Sequence, residues 1–205
     1  MHLKGLRGFT LAEVLITLGI IGVVAALTIP VLIQNHKKQE TATKVKAFYS
    51  IMSQAFYSAT VEHGDFEHWD AWSFGDPGSN NGDGKAQLEW LKKYLLPYIK
   101  TVETNTDRKW ALVALPNGSG FSNYNSMYFF CLKYADCKKQ TEAYNSRTRF
   151  VFQISKSGFK TYDVGWKGTR EELFTPNANN HKCPGAMCAK LLELDGWEIK
   201  DDYPW

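Results

Sequence analysis

Gly8-Phe9-Thr10-Leu11-Ala12-Glu13 is the stretch on which the reading of this chain turns, because it joins a short basic leader to an apolar run that continues to Ile33. From Val14 to Ile33 no residue is charged, and those 20 residues make roughly 30 Å of helix, the thickness of a bilayer's hydrocarbon core. One carboxylate, Glu13, stands at the near edge of that run. An ionised Asp at the middle of a membrane helix costs about 2.5–3.5 kcal/mol on insertion scales, and Glu is of the same order, so Glu13 needs a partner. If the chain were cut between Gly8 and Phe9, the new α-amino group would lie one helical turn from Glu13, or beside the Glu13 of a neighbouring copy.

Leu3-Lys4-Gly5-Leu6-Arg7-Gly8 followed by Phe9-Thr10-Leu11-Ala12-Glu13-Val14-Leu15-Ile16 resembles the prepilin leader and mature start of type IV pilins and type II secretion pseudopilins. The resemblance is specific as far as about Asn35 and extends loosely to the closing segment Gly196 to Trp205. It implies cleavage after Gly8 by a membrane prepilin peptidase that then acts as N-methyltransferase on Phe9. It further implies that Glu13 neutralises the amine of an adjacent subunit during assembly, and that Gly22 and Pro30 are places where the helix loosens inside a filament. The implied fold is α+β and pilin-like, a long N-terminal helix packed on a small antiparallel sheet. Implied partners are other pilin or pseudopilin subunits, an inner-membrane assembly platform and membrane lipid. The implied location is the inner membrane, single pass, with the leader in the cytoplasm and the head outside it. Domain bounds follow: a leader over 1–8, a transmembrane helix over 9–33, an amphipathic continuation over 34–63 and a head over 64–205.

Other readings fit parts of the same segment. A secretory signal peptide also has a basic start, an apolar core and a small-residue site, which Val24-Ala25-Ala26 would supply, yet a carboxylate at the start of its core is unusual. A plain anchor accounts for the apolar run and leaves Gly8, Phe9 and Glu13 without a role. The alternative in function is a membrane-tethered binding or adhesion protein that never polymerises.

A length of 205 residues with 44% hydrophobic content has room for one membrane helix and one head of ordinary size. The net charge is +3, and losing Lys4 and Arg7 with the leader leaves +1, which gives no case for a nucleic-acid binder. Charge does not orient the span, since Lys4 and Arg7 precede it while Lys37, Lys38, Lys44 and Lys46 follow, so the positive-inside rule favours neither end.

Beyond Ile33, Val45, Phe48, Tyr49, Met52, Ala55, Phe56 and Ala59 recur at three- and four-residue intervals, which predicts that the helix continues with one face on its own head. Gly64 suits a left-handed stop after His63. Residues 64–85 read as loop, 86–94 as a second helix ended near Pro97, and 110–115, a segment near Phe121, 127–132, 149–155 and 159–164 as strands. The last two form the clearest hairpin, turning at Lys156-Ser157-Gly158. Ala189 to Leu194 reads as a short helix or strand.

Four cysteines fall into two close pairs, Cys131 with Cys137 and Cys183 with Cys188. In a head outside the cytoplasm this reads as two disulfide loops, although four cysteines allow three pairings. Zinc with His181 is the rival, but five residues separate Cys131 from Cys137 where structural zinc pairs have two to four.

No catalytic constellation is visible. His2, His36, His63, His68 and His181 stand in no metal or nucleophile-and-base spacing, and neither Gly-x-Ser-x-Gly nor His-Glu-x-x-His occurs. The loop from Asp76 to Lys85 approaches a phosphate loop and an EF-hand and completes neither, which leaves Asp76 and Asp83 as minor calcium candidates. Late in the chain Asp163, Asp195, Asp201 and Asp202 are calcium candidates by resemblance to major pseudopilins, against the plainer reading of solvated charges. Trp69, Trp72, Trp197, Tyr203 and Trp205 read as core filling before they read as a ligand surface. The sequon Asn117-Gly118-Ser119 sits at an expected turn.

Overall fold

The computed structural model describes residues 10–70, 83–107, 109–139, 147–174, 183 and 186–205. Helix α1 runs Leu11–His63, and the chain divides into two compact units at residue 40.

The first unit contributes the apolar part of α1. Its large side chains, among them Leu15, Ile16, Ile20, Leu27 and Leu32, are all exposed. By length and composition this helix is able to cross a membrane. Pro30 lies inside it, where the ring has no N–H to return to the carbonyl four residues back.

In the second unit the other part of α1 buries Thr41, Ala42, Val45, Phe48, Met52, Ala55 and Ala59, one face at helical period. Phe48 is its anchor. The ring stacks on Phe130 at 4.5 Å and meets Phe121 and Phe152 at 5.5 and 5.2 Å. The helix stops at Gly64, whose φ is +77°.

The sheet under this face is a six-stranded antiparallel meander, β1 Glu103–Asp107, β2 Trp110–Ala114, β3 Gly120–Tyr124, β4 Met127–Cys131, β5 Arg149–Ser155 and β6 Gly158–Thr161, each paired with the next. Its register sets Val113, Phe121, Phe130 and Phe150 in one row across four strands. Helix α2, Gly84–Tyr94, caps the β1–β3 end, and α4, Cys188–Leu194, covers β5 and β6. Asp83 starts α2 by accepting the Lys85 N–H at 2.9 Å. Buried Gln87 then ties α2 to two turns, donating to the Lys109 carbonyl at 2.6 Å and accepting from the Asn125 N–H at 3.1 Å.

The structure differs from the sequence reading at four elements. Strand β1, Glu-Thr-Asn-Thr-Asp, has no apolar face to betray it and survives as an edge strand. Helix α3, Tyr134–Lys138, is too short to show a period. Strand β5 is buried on both faces rather than one: Phe150 and Phe152 face α1, while Arg149 and Val151 are buried on the other side with Phe129 and Ala186. The structure also ends β6 at Thr161, short of Val164, where the Thr161 hydroxyl donates to Glu193 at 2.6 Å.

Candidate functional site

Thr10 and Glu13 open α1 together. The Glu13 carboxylate accepts the Thr10 N–H at 2.8 Å and the Thr10 hydroxyl at 2.8 Å, and the Thr10 hydroxyl oxygen accepts the Glu13 N–H at 3.3 Å. With Val14 donating to the Thr10 carbonyl as the first turn closes, Thr10 is the N-cap and Glu13 the third helical residue of a reciprocal capping box. The Thr-x-x-Glu spacing carried this signal in the sequence. The N–H groups of Thr10 and Glu13, the Thr10 hydroxyl and the carboxylate thus find partners without water, as an apolar medium favours.

The two hydroxyls within the apolar stretch are also satisfied within the helix. The Thr17 hydroxyl donates to the Glu13 and Val14 carbonyls at 2.9 Å each, and Thr28 donates to the Val24 carbonyl at 2.9 Å. A Cβ added at Gly19 or Gly22 would meet nothing within 4 Å, so packing inside this unit does not call for glycine there. Gly8 and Phe9 lie outside the described residues.

In the head, the late acidic residues are engaged by organic cations. The Asp195 side chain is fully buried and receives the Arg170 guanidinium through two bonds, 2.6 and 2.7 Å, and the Lys200 ammonium at 2.9 Å. Arg170 also holds Asp202 at 2.8 and 2.9 Å. Burial pushes the Asp195 carboxyl up, but the Arg170 and Lys200 hydrogen bonds outweigh it and hold it below the ordinary carboxylate range. The Arg170 hydrogen bonds lower Asp202 as well. Asp163 accepts from Gln153 at 2.7 Å and pairs with Lys160, and Asp201 is exposed. Three of the four late calcium candidates, Asp163, Asp195 and Asp202, are therefore ion-pair members in this structure, and among the described residues no three His, Cys, Asp or Glu side chains converge on a metal position. Asp76 lies outside those residues, and Asp83 is spent on capping α2.

Cys131 and Cys137 form one disulfide, with Cα atoms 5.7 Å apart, and Cys183 and Cys188 form the other, at 5.1 Å. Bonded sulfurs offer no thiolate, which corrects the zinc alternative; His181 lies outside the described residues. Aromatic side chains fill the core: Trp69 and Tyr203 are buried in it, and Trp197 and Trp205 pack against the same core. Trp69 stacks parallel on Tyr94 at 4.7 Å, with His63 edge-on to Tyr94 at 5.0 Å. Trp72 lies outside the described residues. Asn117 spends its side-chain oxygen on the N–H and hydroxyl of Ser119, at 3.1 and 2.6 Å, as a turn residue does. A pocket of 390 Å³ opens between Ile51 and Gln54 of α1, Tyr98 to Lys100 and Leu115 to Asn117, with no nucleophile and base brought together in it.

Residues 31–205 match the model of a Family of unknown function (DUF6613). The chain belongs to that family. Ahead of the family region, residues 4–29 match the Prokaryotic N-terminal methylation motif, which places the motif across the capping box and most of the apolar helix. The chain is also 40% identical over 63 residues to the "Type IV major pilin protein PilA" of Myxococcus xanthus (strain DK1622), a match covering 29% of this chain and 28% of that relative. No solved structure matches the chain. The N-terminal segment is thus similar to that of a type IV pilin, and the α+β head belongs to the DUF6613 family.

Proposed function

We propose that this protein is a structural subunit of a type IV pilus or a type II secretion-like filament. It is cut between Gly8 and Phe9 by a prepilin peptidase, methylated on the Phe9 amine and held in the inner membrane as a single span with its head outside the cytoplasm. An assembly platform then draws it into a filament. The observation that carries this reading is the uncharged stretch of α1 from Val14 to Ile33, its large apolar side chains exposed and one carboxylate at its start, where the methylation motif matches. An apolar surface of that size needs lipid or other subunits around it, and in either setting the Glu13 charge, which Thr10 hydrogen-bonds but does not neutralise, is balanced only if an amine comes to meet it. Phe9 supplies that amine. Gly22 and Pro30 are the positions at which the span yields when lipid is exchanged for neighbouring helices.

Processing is tested by the intact mass of the protein from the membrane fraction. The reading expects a chain that begins at N-methyl-Phe9. A mass that retains Met1, or one that starts near Leu27 as signal-peptide cleavage would give, contradicts it.

A further inference from the structure

The capping box gives Glu13 a partner before any second copy arrives. Both Thr10 donors meet the same carboxylate oxygen, Oε2, and among the described residues Oε1 accepts nothing. A carboxylate has about four lone-pair sites, so an ammonium group has room at Oε1 while Thr10 still holds Oε2. Resting on the filament reading, we propose that Thr10 is the positioning residue that holds Glu13 in the unassembled subunit, and that incorporation exchanges this intrachain box for the amine of a neighbouring copy.

The physics favours such an exchange. Hydrogen bonds to an ionised carboxylate are roughly twice as strong as neutral ones, and the positive end of the helix dipole adds to them. In hydrocarbon no water replaces a lost donor, so a subunit waiting in the membrane needs Thr10. Once an ammonium has paired with Glu13, the hydroxyl is no longer required. Thr10 therefore stabilises the waiting state more than the assembled one and acts as a brake on assembly. No covalent bond changes, and the carboxylate keeps its charge throughout.

Thr10→Val removes the hydroxyl at nearly constant shape and leaves the backbone N–H, while Thr10→Ser keeps the donor. In the mature protein in detergent micelles, exchange of the Glu13 amide, which Thr10 caps, is expected to quicken about fivefold in the Val variant, the usual size of a lost N-cap, and to return in the Ser variant. At matched expression the ratio of filament to membrane pool is expected to rise about fivefold in Thr10→Val, to stay at the wild-type value in Thr10→Ser, and to be indifferent to Thr10→Val when Glu13 is already Leu. Unchanged amide exchange overturns the box. A fall in the filament ratio for Thr10→Val overturns the exchange, because Thr10 would then be acting inside the filament. A wild-type chain that forms no filament ends the filament reading and the exchange with it, while the micelle measurement still reports on the box.

Discussion

Asp195 has a fully buried carboxylate whose charge is balanced by Arg170 and Lys200. Replacing Arg170 with Met leaves Lys200 alone against it and is expected to cost about 1–3 kcal/mol at neutral pH, since a buried charged acceptor loses two donors. The pH dependence has a definite sign. The folded-state pKa values of Asp195 and Asp202 are lowered, so their contribution is present above the unfolded carboxylate pKa of about 3.9 and is lost as pH falls through the folded values. Urea melts of the detergent-solubilised protein should therefore show a gap between wild type and Arg170→Met that is full at pH 7 and closes below about pH 4. A gap independent of pH would remove the ion-pair account. Gly120 is a second residue whose identity is dictated locally, because a Cβ there would lie 2.6 Å from the Val113 carbonyl oxygen and 2.6 Å from the Tyr134 ring. Tyr134 can turn aside, but the carbonyl belongs to the neighbouring strand. Gly120→Ala is expected to lose about 1–3 kcal/mol as an overpacked site, measured by the same melts.

At the scale of elements, α1 in the head rests on Phe48, which touches rings from β3, β4, β5 and β6. Phe48→Ala is expected to cost about 3–5 kcal/mol, the usual range for a large ring removed from a packed core. A loss below about 1 kcal/mol would mean that the helix and sheet do not pack as described. The disulfide between Cys131 and Cys137 closes a short loop around α3, and converting both to Ser should cost about 2–3 kcal/mol through a freer unfolded chain. Elements with a dominant period were legible in the sequence: the stripe from Val45 to Ala59, the helix over 86–94 and the hairpin at Ser157-Gly158. Those that exist by pairing alone were not. Strand β1 is polar throughout and held by its register with β2, and α3 is a single turn fastened by a disulfide. Strand β5 misleads by another route, since a polar-looking Arg149 is buried against Phe129 at 5.0 Å, a cation over a ring.

At the scale of the molecule, two units of different physical character share one chain. One is an apolar helix whose surface is exposed, and the other is a head with its own core of rings, two disulfides and a closing segment packed on that core. Much of the candidate site was legible because an isolated carboxylate beside 20 uncharged residues has few explanations. The Thr10 partnership was also written there, as Thr-x-x-Glu, but competes for attention with the apolar run that follows. What the acidic residues do late in the chain was not legible, since their cation, Arg170, lies 25 residues from Asp195 and 32 from Asp202.

The claim that this is a filament subunit is tested most directly by Glu13→Leu, with filament and membrane pools compared by crosslinking after shearing. The substitution removes an expensive group from the apolar segment, so insertion should be as good or better, and cleavage after Gly8 should persist. Incorporation should nevertheless fall several hundredfold, because an incoming Phe9 amine then enters the bilayer without its counter-ion at a cost on the order of 3–5 kcal/mol. A Leu variant found in filaments at the wild-type level would show that Glu13 takes no part in assembly and would contradict the account.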